Sequence, residues 1–423
     1  IQENKCKKMP EGDVMLDLKE ARKLLAEHGQ EHVLRNYGIL SDSEKESLLR
    51  QIEALDFELI ESVKCHEKQK TGKVEPIQFV DIDNIRENKV DYKRSGMEVL
   101  DDGRFACVLL AGGMGTRLGL DKPKGELNYG ITETHYLFQK LVENLAQVRN
   151  EAKGASIPLF IMTSEKNDQE TRKFFQENDF FGYPCEDVFF FVQEMAAAVD
   201  YNGKLLMEEP GRLATSPNGN GGWFSSLVRA GYLEELHSRN IEWINIFSVD
   251  NPLQKMADPV FIGATIANGA DSGSKVVRKA YPEEKMGVMC LEDGRSSVIE
   301  YYELSDEMRN ATDDNGTLLY GFGVILNYIF KLDKLEELLS KKLPCHIVEK
   351  KIQYVDDKNQ LISPDEPNGY KFETLAVDVI RLMDYCVPFE VERQREFAPI
   401  KNLHGKDSLD SARELLALNG EKL

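Results

Sequence analysis

An unbroken apolar run, Phe105-Ala106-Cys107-Val108-Leu109-Leu110, leads directly into Ala111-Gly112-Gly113-Met114-Gly115-Thr116-Arg117-Leu118-Gly119, and Pro123-Lys124-Gly125 follows shortly after. Glycines at the end of a buried strand permit positive φ and bring backbone N–H groups close to phosphate oxygens, with no Cβ in the way. Arg117 and Lys124 add two cations where a polyphosphate would rest, and Thr116 adds a hydroxyl donor. A dinucleotide fingerprint fails on spacing, because after Gly113-Met114-Gly115 the next glycine comes only at Gly119. Glu133 stands about where such a fold would hold a ribose, but the glycine spacing outweighs it. No Gly-Lys-Ser/Thr closes a P-loop, and a bare structural turn would not explain the Thr-Arg and Pro-Lys pairs.

Three further places hold chemistry-bearing side chains near turns. Gln193 ends the apolar run 188–193, and its amide can donate and accept at once; it is also an ordinary polar residue at a strand end. Ser216-Pro217-Asn218-Gly219-Asn220-Gly221-Gly222 is a loop able to offer backbone donors and acceptors. Asp250 follows the apolar run 243–249, where a carboxylate can hold a hard cation such as Mg²⁺ or Mn²⁺. The competing reading makes Asp250 the N-cap of a helix, since Asn251-Pro252 follows and proline suits a first helical turn.

The elements that must carry these residues alternate. Apolar runs at 105–110, 156–162, 188–193 and 241–249 read as buried strands, and 136–148 reads as a helix. Such alternation implies an α/β fold with a doubly wound, mostly parallel sheet. The later runs 274–279, 298–302 and 317–326 lie closer together and suit antiparallel additions, while 333–339 and 371–383 read as helices. Residues 1–95 form an N-terminal helical region that packs without doing chemistry. Met15, Leu18, Leu24 and Leu25 have near-helical spacing, Ser41-Asp42-Ser43-Glu44 is a capping box, and Leu48, Leu49, Ile52, Leu55, Leu59 and Ile60 make one apolar face. A polar segment, Glu67 to Glu75, ends that part. Residues 96–403 form the catalytic domain and 404–423 a short C-terminal tail.

At 423 residues the chain exceeds one ordinary core. Its net charge of −20 argues against nucleic acid or an anionic membrane as partner, and no apolar run approaches membrane-spanning length. The start, Ile1-Gln2-Glu3-Asn4-Lys5, lacks the apolar core of a secretory signal. Seven scattered cysteines without a CxxC pair favour neither zinc nor a disulfide framework, so a cytoplasmic location is expected.

The stretch from Leu109 to Lys124 resembles the signature of sugar-nucleotide pyrophosphorylases, in the form found in the eukaryotic UDP-N-acetylglucosamine pyrophosphorylase group. The likeness continues in order through Ile161-Met162-Thr163-Ser164, the 216–222 loop, Val249-Asp250-Asn251, Lys275-Val276-Val277, Gly287-Val288, Val298-Ile299-Glu300-Tyr301, Pro367-Asn368-Gly369 and Pro399-Ile400-Lys401-Asn402. It implies a nucleotide-diphospho-sugar transferase fold and the joining of N-acetylglucosamine 1-phosphate to UTP with release of pyrophosphate. A UDP-glucose or broad UDP-sugar pyrophosphorylase is the alternative, and an inactive nucleotide-sugar-binding relative a further one. The same resemblance implies roles. Arg117, Lys124 and Lys401 are catalytic cations, with Lys401 on the sugar phosphate. Leu110, Ala111, Gly112, Gly113, Thr116, Gln193, Pro217, Gly219 and Asn220 bind the nucleotide, Gln193 through the uracil edge. Gly287, Glu300 and Tyr301 bind the sugar, and Asp250 holds the metal.

Two departures bear on the sugar and on assembly. Where the family carries Asn-Ala-Gly-Asn this chain reads Gly321-Phe322-Gly323-Val324, and two family phenylalanines align with Leu375 and Val377. The family continues into a β-rich domain soon after Asn402, whereas this sequence stops at Leu423, so a monomer is expected.

Overall fold

The structure, a computed structural model, describes residues 16–63 and 72–423. Met15, the first part of the Glu67–Glu75 segment, Cys6 and Cys65 lie outside the described residues. The chain forms two units, each assembled from separate stretches. One comprises Ile1–Gln69, Met195–Asn218 and Cys345–Glu373; the other comprises Lys70–Glu194, Gly219–Pro344 and Thr374–Leu423.

The larger unit is built on a sheet whose strands in chain order are β1 (Phe105–Leu110), β2 (Leu159–Thr163), β3 (Val188–Val192), β4 (Trp243–Ser248), β5 (Ser272–Arg278), β6 (Val288–Glu292), β7 (Arg295–Ile299), β8 (Phe322–Lys331) and β9 (Cys386–Glu390). A parallel block runs β4-β1-β2-β3. Strand β8 pairs antiparallel with β4 and β5, β5 runs parallel to β9, and β6 pairs antiparallel with β7. The short strand Val74–Glu75 completes an edge on β6. Along β1, Phe105, Cys107 and Leu109 enter one core while Ala106, Val108 and Leu110 enter another, as period-two alternation demands. Both faces are therefore covered, which is the doubly wound arrangement expected. The later runs do contribute antiparallel strands, with shifted bounds: of 317–326 only residues 322–326 lie in β8, which runs on to Lys331, and of 298–302 only Val298 and Ile299 lie in β7.

Register decides where the chemistry gathers. Leu110 is level with Ser248 on one side and Met162 on the other, and Met162 with Phe191. The loops after β1, β2, β3 and β4 thus leave one edge of the sheet together, the edge at which open α/β sheets bind ligands.

Helix Ile82–Asp101 runs across the expected boundary between residues 95 and 96. It lies backbone to backbone on helix Pro259–Ala267: a Cβ on Gly96 would meet the Pro259 carbonyl oxygen at 1.9 Å, and one on Gly263 the Tyr92 oxygen at 1.9 Å. Residues 404–423 are no loose tail, because helix Leu409–Leu418 buries Leu409, Ala412 and Leu416 against Leu118, Leu127 and Ile400.

In the smaller unit, helices Leu18–Glu27, Asp42–Glu53 and Phe57–Ser62 form as the apolar spacing predicts, and the Ser41/Glu44 capping box is present. Their apolar faces close on strand residues Val199, Leu213 and Phe372. Residues 371–383 are not one helix. Gly369–Glu373 pairs with His346–Lys350 and Val199–Asp200, and only Asp378–Leu382 is helical. Partners more than twenty residues away override the local preference there.

Candidate functional site

The glycine loop after β1 is held by its own backbone and by one buried amide. The Ala111 N–H donates to Met162 O at 2.8 Å, the Gly115 N–H to Lys122 O at 2.8 Å and the Lys124 N–H to Gly113 O at 3.1 Å. The last two bonds fold the loop back so that Lys124 returns to the strand end. Asn167, fully buried, donates through Nδ2 to Ala111 O at 2.9 Å and Gly113 O at 3.4 Å. Buried Leu118 anchors the short turn Thr116–Leu118 and leaves Thr116 and Arg117 exposed. Gly112 has a specific reason to be glycine: a Cβ there would lie 2.4 Å from Gln193 Nε2. Gln193, bonded through its N–H to Thr163 O at 2.9 Å, therefore lays its amide along the loop backbone.

Asp250 follows β4 in a turn and opens no helix; the next helix starts at Pro259 and is capped by Asp258, which accepts the Val260 N–H at 3.0 Å. The N-cap reading of Asp250 is thereby removed. Its Oδ1 accepts from the Ser248 hydroxyl, and its Oδ2 lies 3.4 Å from Lys124 Nζ. The Asp250 carbonyl accepts the Ile400 N–H at 2.8 Å, while Asn251 spans Glu396 O (2.7 Å) and the Ala398 N–H (2.9 Å) with its amide. These bonds deliver Lys401, whose Nζ is 3.6 Å from Asp407 and whose side chain is about half exposed.

Beside Asp250 opens a cavity of about 320 Å³, lined among others by Asn220, Gly287, Glu300 and Lys401. Gly219 adopts φ +75° and comes so close to Thr374 that a Cβ would meet its carbonyl oxygen at 2.1 Å. The Asn220 Oδ1 next to it accepts the Ala376 N–H at 2.8 Å. At Gly287 a Cβ would lie 3.1 Å from Glu300 Oε1. Met286, Val324, Leu375, Val377 and Phe397 are among the apolar residues of the wall.

The structure thus gathers Asn220, Asp250, Gly287, Glu300 and Lys401 at one cavity, and Lys124 joins the glycine loop to it through Asp250. Leu110 is buried at the end of β1. Tyr301 does not line the cavity; its ring meets Tyr302 edge to face at 5.2 Å. Pro217 belongs to the smaller unit, in the strand Thr215–Pro217 paired with Met195–Ala197.

Sequence reasoning missed Glu284 and Lys406, both in the cavity wall. The Glu284 carboxylate is buried, which alone would raise its pKa. The Ala280 N–H, Lys406 at 3.0 Å and Arg393 at 2.7 Å hold it below the usual carboxylate range instead. Only the recurrence of lysine after Lys401 could have drawn attention to Lys406; a glutamate in Pro282-Glu283-Glu284-Lys285 carries no signal of its own.

The profile of UTP–glucose-1-phosphate uridylyltransferases matches residues 56–422. The UDP-N-acetylhexosamine pyrophosphorylase-like protein 1 of Xenopus tropicalis is 36% identical over 93% of this chain and 82% of its own length. The UDP-N-acetylglucosamine pyrophosphorylase of Saccharomyces cerevisiae is 33% identical over 90% of this chain and 86% of its own. Among solved structures, the uridine diphosphate N-acetylglucosamine pyrophosphorylase of Trypanosoma brucei, in complex with inhibitor, superposes with a TM-score of 0.80 at 29% identity. That match covers 96% of this chain and 85% of the other.

Proposed function

The chain belongs to the UTP–glucose-1-phosphate uridylyltransferase family, and from that premise we propose that it is an enzyme forming UDP-N-acetylglucosamine and pyrophosphate from UTP and N-acetylglucosamine 1-phosphate. The phosphate oxygen of the sugar attacks the α-phosphorus of UTP in line. One P–O bond forms to the sugar phosphate, the bond from the α-phosphorus to the bridging oxygen breaks, and pyrophosphate leaves with that electron pair. No covalent enzyme intermediate is required. Catalysis rests on alignment and on cations placed where charge shifts.

The observation that carries this reading is the 3.4 Å contact between Lys124 and Asp250, which joins a phosphate-cradling glycine loop to a cavity that holds Lys401. In the proposed arrangement Leu110, Ala111, Gly112, Gly113, Thr116 and Arg117 receive the triphosphate end of UTP. Gln193, Gly219 and Asn220 serve the nucleoside. Gly287 and Glu300 receive sugar hydroxyls with Tyr301 near them, and Lys401 balances the sugar phosphate.

A divalent cation, Mg²⁺ or Mn²⁺, fits beside Asp250. Among the described residues no group of three His, Cys, Asp or Glu could hold a metal, so one carboxylate would be its main protein ligand. That donor set suits a hard cation that completes its shell with phosphate oxygens and water. When bound it supplies neutralisation of phosphate charge. Lys124 and Ser248, already on the Asp250 oxygens, orient that carboxylate.

No helix among the described residues is long and apolar enough to cross a membrane. Cys107, Cys185, Cys290 and Cys386 carry free thiols, which suits a reducing, cytoplasmic setting, and we take the protein to act as a monomer. The test is pyrophosphate release from UTP across a panel of sugar 1-phosphates. Release with none of them overturns the reading; release fastest with glucose 1-phosphate overturns the choice of sugar.

A further inference from the structure

Behind the cavity lies an ionic cluster to which the reaction assigns no role. Lys275 in β5 is fully buried, yet its Nζ has three acceptors: Glu396 Oε2 at 2.6 Å, Asp258 Oδ2 at 2.9 Å and Lys255 O at 3.1 Å. Lys255 Nζ lies 3.4 Å from the other oxygen of Glu396. Two lysines and two carboxylates thus balance in charge, and the three protons of the buried ammonium are all used. None of these four residues lines the cavity.

Each partner belongs to a segment that ends at the site. The loop from Asp250 to Asp258 is held at Lys255 O by Lys275 and also by Asn327 Nδ2 at 3.1 Å. Glu396 begins the segment that reaches Lys401, and the two segments are laced by the Asn251 amide and the Ile400 N–H. Lys275 grips both from a third element, β5, through Asp258 on the first and Glu396 on the second.

We propose that Lys275 is a positioning residue. By clamping the Asp250–Asp258 loop to the Glu396–Lys401 segment, it sets the distance from the Asp250 carboxylate to the Lys401 ammonium. This rests on the reading of Lys401 as the cation for the sugar phosphate. The glycine loop and Gln193 make none of these bonds and meet the clamped loop through the Lys124–Asp250 contact, so loss of the clamp is expected to displace the sugar-phosphate end more than the UTP end. Burial alone would discharge Lys275, but Asp258 and Glu396 overcome it and hold the ammonium above the usual lysine range, so the clamp stays charged.

The test uses the full chain and three variants: Glu396→Gln, Lys275→Met, and the double variant. Lys275→Met leaves two carboxylates buried without their cation and is liable to misfold. Glu396→Gln keeps the shape and weakens only the ionic grip, and the double variant removes a cation and an anion together. In Glu396→Gln and the double variant, KM for the sugar 1-phosphate is expected to rise roughly tenfold or more, because small misplacements of a positioning group have large effects. The Kd for UTP, read by calorimetry, is expected to stay within about twofold of the parent, the scatter tolerated for a distant site. Unchanged kinetics, or parallel losses in UTP and sugar-phosphate affinity, overturn the proposal. Activity of the parent enzyme tests the functional reading separately. If the parent is inactive, calorimetric binding of the sugar 1-phosphate still decides the clamp, with weaker binding in the variants expected and equal binding refuting it.

Discussion

Lys124 Nζ lies 3.4 Å from Asp250 Oδ2, although the two residues are 126 positions apart in the chain. Both side chains are mostly buried, at 16% and 23% exposure, and Ser248 occupies the second Asp250 oxygen. A cation arriving at this carboxylate therefore competes with a lysine already present. The main chain at this point is fixed by the Ile400 N–H, which donates to the Asp250 carbonyl at 2.8 Å.

Asp250→Asn separates charge from shape at this point. Asparagine keeps the Ser248 contact and the backbone bond to Ile400, so folding is expected to change little. Turnover should fall by a hundredfold or so, the scale for losing a key electrostatic group. The magnesium concentration for half-activation should rise. Near-normal activity with an unchanged magnesium titration would rule out a metal role for Asp250.

At Gly112 a single methyl group is enough. The new Cβ would lie 2.4 Å from the Gln193 amide, the far end of a side chain that can swing away at modest cost to stability. Gly112→Ala is expected to melt within a few degrees of the parent while UTP affinity drops about tenfold, as for a lost hydrogen-bonding partner of an otherwise buried polar edge. Equal UTP affinity in a calorimetric titration would show that Gln193 does not read the base.

Val324, Leu375 and Val377 all reach the cavity wall, so at these three positions the site has no polar side chain that a wrong sugar would leave unpaired. Selectivity among sugar 1-phosphates is accordingly expected to be shallow, with N-acetylglucosamine 1-phosphate best and the galactosamine epimer or glucose 1-phosphate detectably used. Val324→Asn should sharpen that preference. Ratios of kcat/KM across the panel decide it, and a flat or reversed response in the variant refutes the argument.

Burial pushes the Cys386 thiol up to about 12. A thiol in the unfolded chain ionises near ~8.5. The folded pKa is raised, so the contribution of Cys386 is complete below ~8.5 and is lost as pH climbs toward 12, because the unfolded state sheds the proton first. The stability difference between parent and Cys386→Ala should therefore shift toward the variant by up to about 1.4 kcal/mol per pH unit above ~9. Denaturant unfolding at pH 8 and pH 10 measures this; no shift would mean the thiol is not as shielded as its packing indicates. Exposed Cys185 should be alkylated in the native protein while Cys386 is protected.

Much of this was legible in the linear chain because it depends on short-range physics. A strand followed by glycines needs only local φ freedom, and β1 with its loop is where the pattern placed it. The Ser41/Glu44 box closes within three residues and so was readable locally. Asp250 could be placed at a strand end for the same reason, but its two readings could not be separated locally. Whether a helix begins there depends on how the 251–258 loop is held from outside by Asn144, Asn245 and Lys275.

What tertiary structure decided is partnership. Nothing in Pro282-Glu283-Glu284-Lys285 announces that Glu284 will face the cavity between Lys406 and Arg393. Nor does Lys275, in a run of strand-forming residues, announce a buried ionic clamp. Residues 371–383 read as a helix because local propensity cannot register strand partners at 346–350. The folded chain also divides into interleaved stretches, which a scan for linear boundaries at 95 and 403 has no means of expressing. Backbone preference acts over a few residues. An ion pair or a packed wall is made by groups that only the completed sheet, with its fixed register, brings within a few ångströms.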